Sequence, residues 1–284
     1  MNNSYQILSV NGEYLSSLNY NVDRNSRAFR YGDGFFETMH ANGQKVQFLD
    51  DHFSRLQTAA EVLSIELPDN FTIDYLQTHI AGLLHRCRLY QGVKVRIIVS
   101  RSEGGLYIPK NNNAQILIEA EYLSEGKYEL NKDGIVVGVY NEPLYATPIC
   151  AFKTLNALPY IIAGVYASKN NYDDVLLINK DSYIVEATSS NLFCFKDKVL
   201  YTPALKLGAV HGVMRKNIIV VAQKMGFEVK SESLLTEHNL LEMDELFLTN
   251  AVSGIRWIAG LGKRRYFKRY SAKILRELNK QEFH

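Results

Sequence analysis

Residues 35–48 read FFETMHANGQKVQF, a stretch in which two strand-like runs flank the pair Asn42-Gly43. Asn-Gly is typical of the tight turn of a β-hairpin, because both residues tolerate the positive φ angles that such turns require. The same pair occurs upstream as Asn11-Gly12, between the strand-like runs Gln6–Val10 and Glu13–Leu15. Two hairpins so early in the chain predict that it opens with an antiparallel sheet.

Helical spacing replaces strand alternation directly after the second hairpin. Apolar residues three and four positions apart predict a helix over Asp50–Leu63, with Asp50 or Asp51 as its N-cap. Three further elements are predicted in this half of the chain: a helix at Phe71–Cys87 and strands at Val93–Ser100 and Gln115–Ala120. Residues 1–120 are therefore expected to form a small α/β domain, a sheet with two helices.

A short connector, residues 121–128, is expected to separate this domain from a larger α/β domain at 129–284. The predicted strands of the second domain are Gly134–Tyr140, Asp174–Asn179, Asn191–Phe195, Val199–Tyr201 and Glu245–Thr249. Its predicted helices are Leu155–Asn170, Val213–Met225 (closed by Gly226) and Ala272–Gln281. The expected fold class is α/β, of the α+β type, in two domains.

The composition of the 284 residues is that of a soluble globular protein. Hydrophobic residues make up 46% of the chain, the mean hydropathy is −0.16, and the net charge is +2. This near balance argues against a nucleic-acid partner, and the basic residues within 263–269 are interpreted as a solvated face. Cys87, Cys150 and Cys194 lie far apart, so neither a metal site nor a disulfide framework is expected.

No segment of the sequence indicates membrane insertion or export. Met1–Val10 lacks the basic region and long apolar run of a signal peptide. Apolar stretches such as Ile218–Ala222 are far shorter than the roughly 20 residues that cross a bilayer. A cytoplasmic protein that does not bind membranes is therefore expected.

One glycine-rich segment could precede a helix start. Gly208–Gly212 comes directly before the helical periodicity that begins at Val213. The first N–H groups of a helix are unsatisfied and carry partial positive charge, and a glycine beside them lets an anion approach closely. The segment has two interpretations, an anion site or a loop that needs glycine flexibility, and taken alone it favours the loop.

Seven motifs become informative when their order along the chain is considered. They are Arg30–Glu37 (RYGDGFFE), His52–Leu56 (HFSRL), Lys153–Asn156 (KTLN), Glu186–Asn191 (EATSSN), Thr202-Pro203, Gly212–Arg215 (GVMR) and Asp244–Asn250 (DELFLTN). In this order, over about Asn11–Leu261, the sequence resembles the class IV aminotransferases, which are fold-type IV pyridoxal phosphate enzymes. They include branched-chain aminotransferases, D-amino acid aminotransferases and 4-amino-4-deoxychorismate lyases. The resemblance implies pyridoxal 5'-phosphate as cofactor, a small amino compound as substrate and a homodimer.

The resemblance also implies roles for individual residues. Lys153 would form the Schiff base with the cofactor and afterwards move a proton. Glu186 would place its carboxylate beside the pyridine nitrogen and keep that nitrogen protonated. Arg55 would bind the phosphate group together with the backbone N–H groups of Val213 and Met214.

Three further positions follow from the same resemblance. Ser189 is expected near the cofactor ring, and Asn191 is expected to be partly structural. Many transaminases of the class have a phosphate-binding threonine at the position of Ala251. Because that hydroxyl is absent here, Asn250, Thr249 or water is expected to replace it.

The reaction is less sharply indicated than the cofactor. Phe36-Glu37-Thr38, residues 99–107 and Thr249-Asn250-Ala251 look more like the lyases than the branched-chain enzymes, although Leu106 stands where the lyases often have an arginine. A 4-amino-4-deoxychorismate lyase that releases pyruvate is therefore expected. The alternatives are a branched-chain or D-amino acid aminotransferase that uses 2-oxoglutarate, or a degenerate homologue that binds a ligand without turnover. The expected substrate-contacting residues are Phe36, Thr38, Arg96, Arg101, Tyr107 and Ala251, with Arg256 as another candidate anion partner.

Overall fold

A computed structural model describes residues 7–283, so Gln6, where the first predicted strand begins, lies outside the described residues. The described chain divides into two compact units. The first unit contains the residues up to Lys127 together with Phe152–Asn156, and the second contains Tyr128–Ala151 and the residues from Ala157 onward. Of the expected connector at 121–128, residues 121–127 belong to the first unit and Tyr128 belongs to the second.

The first unit is built on one antiparallel sheet. Its elements are β1 (Ile7–Val10), β2 (Glu13–Ser16), α1 (Arg27–Tyr31), β3 (Gly34–Asn42), β4 (Lys45–Val46), α2 (Leu49–Val62), α3 (Ile73–Cys87), β5 (Val93–Arg101) and β6 (Ala114–Tyr122). The six strands lie in the order β2-β1-β6-β5-β3-β4, and every neighbouring pair is antiparallel. The predicted antiparallel sheet is therefore confirmed.

Both predicted hairpins are confirmed, and the loop of one differs by a single residue. The first hairpin turns through Asn11-Gly12 as expected. In the second, Asn42 pairs with Lys45, so the loop residues are Gly43-Gln44. Gly43 has a φ of 62°, the left-handed conformation that glycine adopts without a Cβ penalty.

The start of α2 differs from the prediction, and the expected N-cap is wrong. The helix begins at Leu49, and its N-cap is Phe48, whose φ of 54° is left-handed and whose side chain accepts no capping bond. Asp50 and Asp51 lie instead in the first turn. Negative charge is favourable there because the N-terminus is the positive end of the helix dipole.

Side chains of β3 alternate between the two faces of the first sheet. Glu37 bonds to side chains of α2, so it and Met39, two residues on, face that helix and are buried. Phe36 and Thr38 point to the opposite face and are half-buried. One face of this strand is therefore buried against α2, and the other is half-buried.

A short segment of chain from residue 153 to 155 adds to the edge of β3. The N–H of Phe36 donates to the carbonyl of Lys153 at 2.8 Å, and the N–H of Leu155 donates to the carbonyl of Gly34 at 2.9 Å. The predicted helix Leu155–Asn170 consequently begins later, at Leu158.

The second unit contains a larger mixed sheet. Its elements are β7 (Ile135–Leu144), α4 (Leu158–Lys169), β8 (Asp174–Asn179), β9 (Ile184–Ala187), β10 (Asn191–Lys196), β11 (Val199–Pro203), α5 (Val213–Lys224), β12 (Val229–Ser233), α6 (Glu237–Leu241), β13 (Glu245–Asn250), β14 (Gly254–Leu261), β15 (Arg264–Arg265) and α7 (Ser271–Glu282). The strand order is β12-β11-β10-β13-β14-β7-β8-β9, with β15 beside β14. The pairs β11–β12, β14–β7 and β7–β8 are parallel, which makes the sheet mixed.

Three strands of this sheet, β9, β10 and β13, are buried along most or all of their length, so both of their faces are covered. Every residue of β9 is buried, and so are the first five residues of β10 and of β13. Phe193 and Phe247 stack across the β10–β13 pair with ring centroids 5.3 Å apart.

Within residues 7–283, no helix combines the length and apolar character needed to cross a membrane.

Candidate active site

Lys153 lies on the segment that extends β3, so main-chain hydrogen bonding fixes where its side chain begins. Its Nζ lies 4.9 Å from the centroid of the Phe36 ring. The side chain is half-buried and lies on the face of the sheet that carries Phe36. This lysine is therefore sheltered against an aromatic ring.

Arg55 is held by a carboxylate from the other face of β3. Its Nε donates to Glu37 Oε1 and its Nη2 donates to Glu37 Oε2, both at 2.7 Å. His52 Nδ1 lies 2.7 Å from the same Oε2. The Glu37 and Arg55 side chains are only 3% and 10% exposed, so Glu37 fixes a buried guanidinium in one orientation through two of its five N–H groups.

The charges of this triad follow from its burial. Burial alone would raise the pKa of Glu37, but the Arg55 charge and the hydrogen bonds from His52 and Arg55 lower it to about 2. Burial lowers the pKa of His52 below 6.5 even though Glu37 opposes that change. At neutral pH, Glu37 is therefore an anion and His52 is neutral, in the tautomer whose Nδ1–H donates to the carboxylate.

Sequence reasoning assigned no role to Glu37 or His52. The available signal was a carboxylate at a position where strand alternation places its neighbours Phe35 and Met39 in the core. A buried acid requires a cationic partner, and the nearby helix motif supplies one. The triad could therefore have been suspected before the structure was known.

A second cation, Arg96, also contacts the Phe36 ring. Arg96 on β5 places its Cζ 4.1 Å from the centroid of the Phe36 ring, a cation–π contact, and its Nε 3.9 Å from Glu119. Thr38 stands directly opposite Arg96 in the β3–β5 register. Three of the expected substrate residues, Phe36, Thr38 and Arg96, are thus gathered on the face that carries Lys153.

Arg101 and Tyr107 are not gathered there. Arg101 donates to Asp33 Oδ2 at 3.0 Å and to three other protein oxygens, on Leu63, Ser64 and Asn112. These contacts tie the end of β5 to neighbouring loops. Tyr107 is 89% exposed.

Glu186 is a buried carboxylate on β9 of the second unit. The Tyr160 hydroxyl donates to its Oε1 at 2.9 Å. Asn191 Nδ2 and the Val210 N–H donate to its Oε2 at 3.2 and 3.1 Å. At 3% exposure, Glu186 is not a solvated residue at a strand end but a carboxylate that protein donors hold in place.

The start of α5 adjoins Asn191. Its N-cap is Gly212, which has no side chain to cap the first-turn N–H groups, including those of the buried Val213 and Met214. A Cβ built on Gly212 would lie 1.8 Å from Asn191 Oδ1. Only glycine therefore allows Asn191 to reach this helix start, and the close approach explains the glycine better than loop flexibility does.

The turn after β13 is organised by Asn250. Its Nδ2 donates to Ser190 Oγ at 3.1 Å, and its Oδ1 accepts from the N–H groups of Val252 and Ser253. Ser189, expected near the ring, is exposed, whereas the neighbouring Ser190 is buried and makes this contact. Asn250 thus closes the turn through both ends of its amide.

Thr249 and Ala251 flank Asn250 on either side. The carbonyl of Ala251 accepts a bond from the Tyr128 hydroxyl at 3.0 Å. Thr249 stands opposite Asn191 in the β10–β13 register, and its buried hydroxyl bonds to no residue within 7–283. Arg256 donates to Asp174 at 2.7 Å, so this candidate anion partner already pairs with a carboxylate.

Comparisons with known proteins show which proteins the chain resembles. An aminodeoxychorismate lyase from Vibrio harveyi is 27% identical over 244 residues, covering 84% of this chain and 87% of that protein. A putative branched-chain-amino-acid aminotransferase from Methanocaldococcus jannaschii is 29% identical over 250 residues, covering 87% and 84%. The crystal structure of a putative 4-amino-4-deoxychorismate lyase from Legionella pneumophila superimposes with a TM-score of 0.84 at 26% identity, covering 94% of this chain and 97% of that one.

The fold and the family resemblance predicted from the sequence are both confirmed. Residues 34–261, most of the chain, match the family model for amino-transferase class IV. The chain therefore belongs to the amino-transferase class IV family and is a pyridoxal-phosphate-dependent enzyme.

Proposed function

We propose that the chain is a 4-amino-4-deoxychorismate lyase, which converts its substrate to 4-aminobenzoate and pyruvate. The observation that carries this choice is the turn after β13. Its sequence, Thr249-Asn250-Ala251, resembles that of the lyases, and Asn250 organises it without a hydroxyl at Ala251. The similarity to the Vibrio harveyi lyase supports the same choice.

The residues of the second unit fit an anionic cofactor. The start of α5 offers first-turn N–H groups that no side chain of Gly212 can cap. The buried hydroxyl of Thr249 makes no hydrogen bond to any described residue, so it is a further donor available to a phosphate group. We therefore assign the phosphate group to the N–H groups of Val213 and Met214 and to Arg55, with Thr249 supplying the hydroxyl that Ala251 lacks.

The remaining roles follow from the same assignment. When bound, pyridoxal phosphate draws electrons from the Cα of an amino substrate and so makes its proton removable. Lys153 would hold the cofactor covalently, and its amine, when free, would carry that proton. Glu186 presents an anion to the ring nitrogen, and Asn191 and Val210 hold that carboxylate in position.

Substrate binding is assigned to the face of the first sheet that carries Phe36. Arg96 is the arginine on this face, and a guanidinium pairs well with a substrate carboxylate. Phe36 supplies an apolar surface beside Lys153, and Thr38 supplies a hydroxyl opposite Arg96. Arg101 is assigned instead to holding the loops that it contacts.

Covalent attachment of the cofactor is tested first. The purified protein should show the visible absorption of bound pyridoxal phosphate. Borohydride reduction followed by peptide mass analysis should then place the cofactor on Lys153. The Lys153→Ala variant should lose both signals, and retention of the label in that variant would contradict the assignment.

The reaction is tested by offering the holoenzyme both kinds of substrate. With 4-amino-4-deoxychorismate, the proposal expects 4-aminobenzoate and pyruvate in equal amounts. An aminotransferase is the second candidate, favoured by the 29% identical relative from Methanocaldococcus jannaschii. Rapid amino transfer from a branched-chain or D-amino acid to 2-oxoglutarate, without 4-aminobenzoate formation, would replace the lyase assignment.

A homodimer is part of the proposal. Helix α4 exposes four apolar side chains at 48–63% of their surface, Leu158, Ile161, Ile162 and Val165. A contiguous apolar face of this kind is typical of a subunit interface. Light scattering should give about twice the 32.4 kDa chain mass, and Ile161→Glu should lower it toward one chain. A monomeric wild-type protein would refute the dimer.

A further inference from the structure

Tyr160 lies near the start of α4 and is half-buried against the second sheet. Its hydroxyl donates to Glu186 Oε1 at 2.9 Å, whereas Asn191 and Val210 donate to the other oxygen of that carboxylate. The three donors therefore divide between the two oxygens of Glu186. Tyr160 is the one donor of the three that a conservative substitution can remove without altering a backbone or the Asn191 amide.

The phenol is well suited to donate permanently. Burial, followed by the adjacent Glu186 charge and its hydrogen bond, raises the pKa of Tyr160 far above its ordinary value. The hydroxyl consequently keeps its proton at neutral pH and well above it. A permanently protonated phenol beside a carboxylate favours the ionised form of that carboxylate.

We propose that Tyr160 is a positioning residue of the active site, which holds Glu186 ionised and oriented so that the cofactor ring nitrogen keeps its proton. This inference rests on the proposed role of Glu186. A proton shared by a carboxylate and a pyridine nitrogen moves toward the carboxylate when the carboxylate anion loses a contact that stabilises it. The Tyr160 bond therefore keeps that proton on the ring.

Loss of the Tyr160 hydroxyl should shift the titration of the bound cofactor in one direction. Without the hydroxyl, the Glu186 anion is less stabilised, so the shared proton shifts toward the carboxylate and the ring withdraws fewer electrons. The nitrogen that links Lys153 to the ring then holds its own proton to higher pH. The visible absorption of the bound cofactor should consequently titrate at a higher pH in Tyr160→Phe than in the wild type.

The first experiment uses apoprotein and does not depend on the cofactor. Urea unfolding of Tyr160→Phe, Glu186→Gln and the double variant forms a double-mutant cycle that measures coupling between the two side chains. Tyr166→Phe on the same helix is the matched control, because its ring packs on Tyr140 rather than on Glu186. Coupling of Tyr160 but not Tyr166 to Glu186 is expected, and equal values would overturn the contact.

The second experiment uses the holoenzyme and separates position from structure. The pH midpoint of the visible absorption should rise by about one unit in Tyr160→Phe, a tenfold change, as expected for losing one bond to a charged group. Turnover should fall about tenfold while KM for the amino substrate changes little. Tyr166→Phe should match the wild type in both measurements.

The outcomes distinguish this inference from the proposed function. If neither wild type nor variants bind pyridoxal phosphate, the proposed cofactor site fails whatever Tyr160 does. If Glu186→Gln changes the titration and Tyr160→Phe leaves it unchanged, the role of Glu186 stands and the inference about Tyr160 is wrong. A midpoint that falls in Tyr160→Phe would also overturn it, because the direction of proton movement would be reversed.

Discussion

Replacing Glu37 with glutamine should destabilise the first unit strongly, because it leaves the buried Arg55 charge without its anion. The pKa of Glu37 falls from 4.5 to about 2 in the folded protein. At about 1.4 kcal/mol per pKa unit, this difference corresponds to about 3 kcal/mol of folding free energy. Measured losses for breaking buried ion pairs, about 3–5 kcal/mol, are of the same size.

The sign of the pH dependence follows from the direction of that shift. Because the pKa is lower in the folded state, the Glu37 contribution is complete above about pH 4.5 and is lost as the pH falls toward 2. The deficit of Glu37→Gln relative to the wild type should therefore be largest at neutral pH and should shrink steadily below pH 4.5. His52 does not reverse this, since its lowered pKa also makes the folded protein less stable as the pH falls.

Urea unfolding of the apoproteins, followed by circular dichroism at pH 7 and near pH 3, measures both quantities. Glu119→Gln is the matched control, because Glu119 lies on the opposite face of the same sheet, is about one-third exposed and only approaches Arg96 at 3.9 Å. Exposed pairs of this kind contribute about 0–1 kcal/mol. A Glu37→Gln variant as stable as the control, or a deficit that is unchanged near pH 3, would refute the reasoning.

Three further predictions concern the second unit. Gly212→Ala should weaken pyridoxal phosphate binding at least about tenfold, measured by fluorescence titration, because its Cβ would displace Asn191; unchanged affinity would contradict the close approach. Thr249→Val should raise the Kd for pyridoxal phosphate several-fold whereas Ala251→Thr should lower it, and equal Kd values would remove Thr249 from the phosphate site. Glu245→Ala should cost about 2–4 kcal/mol in urea unfolding, since its buried carboxylate accepts three N–H groups at the start of α7; a loss below about 0.5 kcal/mol would contradict this capping role.

Local signals predicted the elements whose formation depends on neighbouring residues. The Asn11-Gly12 hairpin, the helix α3 and the closure of α5 near Gly226 could be predicted because turn residues and helical periodicity lie within a few positions of one another. The N-cap of α2 could not, because the chain leaving β4 forces Phe48 into a left-handed conformation that its sequence does not favour.

Tertiary burial hid two of the strands that sequence reasoning missed. The strand Ile184–Ala187 is buried at every position, so it shows none of the alternation by which a half-exposed strand is detected. Strand Gly254–Leu261 is buried at six of its eight positions, and its alternation is broken in the same way. Such strands can be told from buried helices only by their partners, and those partners lie far away in sequence.

The residues of the candidate site also differ in whether a local pattern could predict them. Family motifs suggested Lys153, Arg55 and Glu186, because each lies in a run that can be matched residue by residue. Glu37 ends a matched motif but was given no role, and Tyr160 lies outside the motifs. The importance of both comes from their contacts with Arg55 and Glu186, which are distant in sequence. Residues that hold a functional side chain in place are therefore harder to predict than the side chain itself.

The alternation of side chains along β3 explains how one strand contacts both Arg55 and Lys153. Because successive side chains point to opposite faces, Glu37 reaches α2 and Arg55 while the adjacent Phe36 faces Lys153. A slip of one residue would exchange the two faces and place a carboxylate beside Lys153. The long β3–β5 pairing on one edge and the bonds to residues 153–155 on the other oppose such a slip, so the sheet itself keeps Glu37 and Lys153 on opposite faces.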